Sequence, residues 1–153
     1  MIFLKELEQF LKTMNISEEI KITLLSLMKK KEKEKKAEGK LNKVGYATIA
    51  VILLFVGYFY FKVRLVGGLG PSALSFILGD IIILTFIASL FLLIFYMFEV
   101  KRKFDKAEKD VDKIRDDLID RSSIIWRTPD ERKLRYEIYK YLKDKQDINL
   151  FHK

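Results

Sequence analysis

The sequence predicts an all-α membrane protein, a two-helix transmembrane hairpin with helical cytoplasmic N- and C-terminal arms. Three observations support this prediction. From Val44 to Phe98 only Lys62, Arg64 and Asp80 interrupt apolar sequence. The segments on either side of this region hold 27 of the 29 Lys and Arg residues. Apolar residues in those segments recur every three or four positions, which is the periodicity of amphipathic helices.

These features divide the 153 residues into six predicted segments. They are a cytoplasmic basic helical arm at 1–43, a first transmembrane helix at 44–66, a short external loop at 67–73, a second transmembrane helix at 74–99, a cytoplasmic heptad helix at 100–126 that continues from it, and a capped helix with a tail at 127–153. Each apolar run approaches or exceeds the roughly 20 residues that cross a bilayer. Because the Gly- and Pro-containing loop is so short, the two spans should be antiparallel neighbours.

The first arm, 1–43, is predicted to form two short helices followed by a basic stretch. A break at Asn15-Ile16-Ser17 separates the helices, and Ser17 has the residue type of a helix N-cap. Lysines interleaved with glutamates then run up to the first span. We expect this stretch either to meet anionic lipid headgroups or to be a solvated helix in which the acids weaken that attraction.

The orientation of the spans follows from the distribution of Lys and Arg. Basic residues cluster just before Val44 and just after Glu99, whereas the loop side offers only Lys62 and Arg64. The positive-inside rule then predicts a multi-pass protein of the cell membrane with both termini in the cytoplasm.

Asp80 is the most distinctive residue of the second span, two turns from its predicted start. An ionisable side chain in lipid is costly and marks a functional site by default. A hairpin turning at residues 68–69 places Asp80 opposite Tyr58, with Lys62 and Arg64 one to two turns further out. Asp80 could clamp the hairpin, contact another copy, or form part of a proton or cation path. Two spans cannot enclose a channel, so conduction would require a homo-oligomer.

The segment that follows the second span carries an a/d heptad pattern over nearly three heptads. Its proposed helix-contact face comprises Phe104, Val111, Ile114 and Leu118. One interpretation is a coiled coil that dimerises the chain or captures a protein partner. The other is that this face packs against the amphipathic N-terminal helices of its own chain.

The last segment opens with a strong helix-start signal at Thr128-Pro129-Asp130-Glu131. Thr128 can cap the helix, Pro suits the first helical position, and Glu131 completes a capping box. Trp126, just before the cap, is expected to anchor the turn. The tail, 147–153, contains the apolar residues Ile148, Leu150 and Phe151, which either dock on the arm or form a short recognition peptide.

Part of the chain resembles a known family. The segment EKDVDKIRDDLIDRSSIIW, followed by a basic helix and the terminal DINLFHK, resembles the YpbF-like family of small two-span membrane proteins from low-GC Gram-positive bacteria. The likeness covers the hairpin and the C-terminal arm, about two thirds of the chain. Because the family consists of membrane proteins, the resemblance implies a membrane location. The family is classified as a domain of unknown function, so the resemblance implies no catalytic residues.

Composition excludes several classes of site. The sequence has no Cys and one His, His152, which excludes disulfides, thiolate metal sites and paired-His metal sites. We expect no catalytic, cofactor-binding or metal-binding residues. Nucleic acid is not an expected partner, because lysines alternate with glutamates and no aromatic residues accompany them for base stacking.

Two functional hypotheses remain. The leading one is a non-enzymatic membrane anchor or adaptor whose helical cytosolic module self-associates or binds a partner, with Asp120, Arg121 and Trp126 as a corner surface. The alternative is a small homo-oligomeric, ion- or proton-conducting or pore-forming membrane protein centred on Asp80.

Overall fold

The computed structural model of the chain describes residues 2–65, 67, 70, 75 and 78–151. Most of the predicted loop at 67–73 lies outside the described residues, as do Leu74, where the second span was expected to begin, and His152.

Five α-helices have both ends among the described residues, and no strand occurs among those residues. The helices are α1 (Ile2–Lys12), α2 (Glu18–Leu65), α3 (Ile81–Asp120), α4 (Ser122–Ile125) and α5 (Pro129–Gln146). The all-α prediction is confirmed for this part of the chain. Helices α2 and α3 are 48 and 40 residues long, and each contains a stretch long and apolar enough to cross a membrane.

The predicted start of α5 is confirmed. The Thr128 side chain accepts from the N–H of Glu131, and the Glu131 side chain accepts from the N–H of Thr128, which together make a capping box. The helix ends at Gln146, and the C-cap residue Asp147 adopts a left-handed conformation with φ 57°. Asp tolerates this conformation better than most residues other than glycine. It lets the N–H groups of residues 147 and 148 pair with the last carbonyls of the helix.

The chain divides into two compact units. The first unit comprises residues 1–35 and 105–153. It has a core of its own, in which Trp126 and Leu118 are fully buried with apolar residues of α1, of the start of α2 and of α5. Ile148 and Leu150 of the tail are buried there too, so the tail docks on its own unit. Each such buried side chain contributes about 1.5–3 kcal/mol to stability.

The second unit, residues 36–104, contains the apolar parts of α2 and α3. The two helices contact each other through aromatic side chains, with the ring centroids of Phe55 and Phe86 5.7 Å apart. Most of their apolar side chains are nevertheless exposed, and only 6% of an 18-residue apolar stretch in each helix is buried. This unit therefore has almost no apolar core of its own.

Candidate functional site

The second unit holds a polar cluster formed by Tyr58, Lys62 and Asp80. The Tyr58 hydroxyl donates to Asp80 Oδ2 at 3.0 Å, and Lys62 Nζ lies 2.7 Å from the same oxygen. Tyr58 and Lys62 are four residues apart on α2, so their side chains share one face of the helix. The side chain of Asp80 is only 9% exposed. The structure thus brings together three of the four residues predicted for this site.

The same carboxylate caps helix α3. Asp80 Oδ1 accepts from the N–H of Ile82 at 2.8 Å and from that of Ile83 at 3.4 Å, the second and third residues of the helix. This is the hydrogen bonding of an N-cap residue. We expected Asp80 inside a helix, two turns from its start, but residue 80 is not helical and α3 begins at Ile81. The physical reason is that Asp is more favourable before the first helical residue than within a helix. Gly79-Asp80 followed by an apolar run carried that signal.

Arg64, the fourth residue predicted for this site, lies exposed near the end of α2. Among the described residues, Asp80 contacts Tyr58, Lys62 and the backbone of α3, and not Arg64. Within the described part of the chain, no group of three or more carboxylates or imidazoles is placed to hold a metal ion. Chemically, the cluster is a carboxylate held by an ammonium, a phenol and the backbone of α3.

The predicted heptad face lies mainly in the core of the first unit. Val111 and Leu118 are buried with residues of α1 and α2, and Ile114 packs against the same core. Phe104 is half-buried. Of the two interpretations of this face, the described contacts favour packing against the N-terminal helices of the same chain.

The predicted corner surface, which comprises Asp120, Arg121 and Trp126, has one buried residue and two exposed residues. Trp126 is fully buried, and its indole Nε1–H donates to the Tyr139 hydroxyl at 3.2 Å. Asp120 and Arg121 are exposed, and Arg121 is 3.5 Å from the carboxylate of Asp117. Trp126 is therefore an internal anchor of the turn, as expected, whereas accessible surface at the corner comes from its charged neighbours.

Glu131 links distant parts of the first unit. Its Oε1 accepts from the N–H of Ser17 at 3.2 Å, and its Oε2 accepts from the N–H groups of Arg127 and Thr128 at 3.1 Å. These hydrogen bonds, led by that from Thr128, lower the pKa of Glu131, although burial opposes the shift. The sequence predicted the bond to Thr128 and gave no signal for the one to Ser17.

A second electrostatic link joins α2 to α3 in the first unit. The ammonium of Lys30 donates a hydrogen bond to the carboxylate of Asp110, and this bond lowers the pKa of Asp110. Both side chains are partly exposed. Because solvent screens the two charges, such a partly exposed pair contributes little to stability.

A groove of about 710 Å³ runs beside the heptad face within the first unit. Ile22 and Ile114 are its apolar residues, and Lys113, Asp117 and Asp120 supply charges of both signs. Ile22 is 65% exposed, unlike the buried residues of the adjoining core. This groove contains one predicted contact residue, Ile114, and one predicted corner residue, Asp120.

Residues 23–153 match a protein family described as a protein of unknown function, DUF2663. The uncharacterized protein YpbF of Bacillus subtilis (strain 168) is 39% identical over 51 residues, which cover 33% of this chain and 35% of that relative. The matched stretch thus spans about a third of the relative's length. No solved structure matches the chain.

Proposed function

The chain belongs to the DUF2663 family of proteins of unknown function, as its resemblance to YpbF-like proteins predicted, and we propose that it is a non-enzymatic membrane anchor or adaptor. Two membrane spans would hold the first unit at the cytoplasmic face of the cell membrane. The observation that supports this most directly is the exposure of the apolar helices, since only 6% of each 18-residue window is buried.

Exposure distinguishes these helices from the core of a soluble protein. An apolar core helix is covered by its neighbours, whereas here Leu53, Leu92 and Phe95 are 67–72% exposed. Soluble monomers rarely expose contiguous apolar patches larger than a few hundred Å². A lipid bilayer would cover this surface over the apolar stretches of both helices.

The charge distribution supports one orientation. Lys and Arg are concentrated next to the two ends of the apolar region that lead into the first unit. Under the positive-inside rule, both termini are then cytoplasmic. The same basic residues would meet the anionic headgroups of that leaflet.

Within lipid, the Asp80 cluster would act as a clamp between the two spans. An unpaired carboxylate in the hydrocarbon region is costly, and the contacts with Lys62 and Tyr58 offset that cost. The carboxylate already accepts from two side chains and from the backbone of α3, which favours a structural role over proton or ion conduction.

We assign the adaptor function to the first unit, because it has its own buried core and an accessible groove. We propose that the occupant of this groove is a second copy of the chain. In a twofold contact, Lys113 of one copy would face Asp117 or Asp120 of the other, and the two copies of Ile22 would be buried together.

Cysteine labelling tests the membrane topology, because the chain has no native Cys. Gly70→Cys should react with a membrane-impermeant maleimide added to intact cells. Gln9→Cys and Asp144→Cys, both at exposed positions of the first unit, should react only after the membrane is permeabilised.

A fourth variant, Leu92→Cys, controls for burial in lipid and should stay unlabelled until detergent is added. Recovery of the protein in the soluble fraction would contradict the proposal. Labelling of the Gln9 or Asp144 variant in intact cells would contradict the proposed orientation.

A further inference from the structure

We propose that a cavity in the first unit binds a small anion in which a phosphate group is attached to a flat ring. The cavity has a volume of about 340 Å³ and lies between the end of α3, α4, α5 and the tail. Its polar lining includes Arg132, Arg135 and Ser122, and its aromatic lining includes Tyr136 and Phe151. This assignment goes beyond the anchor function and does not depend on membrane insertion.

The two arginines give the cavity its positive charge. Arg132 and Arg135 are three residues apart on α5, so they lie on the same face of that helix. Arg132 Nε donates to the backbone oxygen of Trp126 at 3.2 Å, and Arg135 donates to the Ser122 hydroxyl at 2.9 Å. Both acceptors are neutral. Among the described residues, no carboxylate lies within 4 Å of either guanidinium to form an ion pair.

The remaining donors suit a phosphate group. Each guanidinium has five N–H groups and uses only part of them in these bonds, and the Ser122 hydroxyl still has its own proton to donate. A planar arginine guanidinium can donate two parallel hydrogen bonds to a phosphate group, with more geometric specificity than a lysine ammonium provides. Two neighbouring guanidinium groups and a hydroxyl can donate hydrogen bonds to three phosphate oxygens.

The aromatic residues suit a ring. The rings of Tyr136 and Phe151 are 5.8 Å apart, and those of Tyr139 and Phe151 are 5.6 Å apart, both with edge-on geometry. Tyr136 is 62% exposed and leaves an accessible aromatic surface at the cavity. The volume falls in the lower part of the range of about 300–1,000 Å³ typical of small-molecule sites.

The single tryptophan of the chain provides the readout. Trp126 hydrogen-bonds Tyr139, which lines the cavity, and its backbone oxygen accepts from Arg132. Filling the cavity should therefore change the fluorescence of Trp126. The experiment is a titration of the full chain in a neutral detergent with phenyl phosphate, at constant ionic strength. Inorganic phosphate lacks the ring and phenol lacks the charge, so each should bind more weakly.

The variants Arg132→Gln and Arg135→Gln should each weaken phenyl phosphate binding about tenfold or more, because each removes charged hydrogen bonds. Arg135→Lys keeps the charge without the fork and should bind with intermediate affinity. The matched control is Arg102→Gln, an exposed arginine of the second unit that does not line the cavity; it should bind like the wild type. Circular dichroism checks that each variant is folded.

Lipids also carry phosphate, but the headgroup of phosphatidylglycerol has no flat ring. The titration is therefore repeated with dihexanoyl-phosphatidylglycerol and dihexanoyl-phosphatidylcholine, and both should bind more weakly than phenyl phosphate. Phosphatidylglycerol binding as tight as that of phenyl phosphate would contradict the role of the ring and indicate a lipid headgroup as the ligand. The absence of a saturable response to phenyl phosphate, or equal binding by the wild type and a folded Arg135→Gln variant, overturns the proposal.

Discussion

The Glu131 carboxylate accepts a hydrogen bond from the backbone N–H of Ser17 at 3.2 Å, across 114 positions of sequence. The same side chain accepts from the N–H groups of Arg127 and Thr128. One residue thus caps α5 and also fixes the segment just before α2. In the first unit, a local helix-start motif therefore also holds distant parts of the chain together.

We predict that Glu131→Ala destabilises the first unit by about 2 kcal/mol, since hydrogen bonds to a charged acceptor contribute roughly 1.5–3 kcal/mol each and water compensates part of the loss. Urea unfolding followed by Trp126 fluorescence measures the change. The control is Glu137→Ala, an exposed position on the same helix, which should change stability by less than about 0.5 kcal/mol. Equal effects of the two substitutions would show that the contact with Ser17 is unimportant.

The stabilisation by Glu131 should depend on pH. Folding lowers the pKa of this group below its ordinary value of 4.5. A group whose pKa falls on folding stabilises the protein fully above the unfolded pKa, and this stabilisation is lost as pH falls through the folded pKa. The stability difference between the wild type and Glu131→Gln should therefore be constant near neutral pH and shrink below about 4.5. A difference that grows in acid would contradict this prediction.

Sequence reasoning predicted interactions that lie close in the chain or follow from simple register. The capping box spans four residues, and the contact between Asp80 and Tyr58 follows from a turn near residues 68–69, because both lie about eleven positions from it. The contact between Glu131 and Ser17 has no such rule, since it depends on how the arms pack.

The start of α3 shows a second limit of prediction from the sequence. The apolar sequence is continuous around Asp80, so hydropathy alone extended one helix from residue 74. The local preference of Asp for the N-cap was the stronger signal. Leu118 shows a third limit, because a heptad pattern specifies an apolar face and does not specify whether the same chain or another copy covers it.

We predict that Leu118→Ala destabilises the first unit by about 2–5 kcal/mol, because it leaves a cavity at a fully buried position. Since Leu118 packs against its own chain, the same loss should be measured in the Ile22→Asp background, in which the proposed contact between copies is removed. An unfolding midpoint that still rises with protein concentration in that background would instead indicate that a coiled coil between copies buries Leu118. Ile124→Ala, at an exposed position outside the groove, is the matched control and should have little effect.

Removing one charge of the Asp80–Lys62 pair should destabilise the protein more than removing both charges. Asp80→Asn removes the negative charge that lies 2.7 Å from the Lys62 ammonium, so we expect it to lower the thermal unfolding midpoint in detergent. Lys62→Met combined with Asp80→Asn removes both charges and should restore part of that loss. Arg64→Met, at the neighbouring exposed arginine, should have little effect alone or combined with Asp80→Asn.

The same variants separate a clamp from a conducting role. Purified wild type and Asp80→Asn are reconstituted in liposomes, and proton leak is followed with a pH-sensitive dye. A clamp predicts no protein-dependent leak in the wild type. A leak that the wild type supports and a stably folded Asp80→Asn variant lacks would favour the conducting alternative.

Self-association through the groove predicts different outcomes for two exposed isoleucines. Ile22 lines the groove and is 65% exposed, whereas Ile124 is 59% exposed and does not line it. Ile22→Asp would place carboxylates where the two copies meet, so it should abolish dimer cross-linking in membranes, whereas Ile124→Asp should leave it intact. Lys113→Glu should weaken dimerisation because it removes the attraction to Asp117 and Asp120 across the contact. Cross-linking followed by mass spectrometry measures these effects. Unchanged dimers in the Ile22 variant, or a monomeric wild type at every concentration tested, would exclude a second copy from the groove.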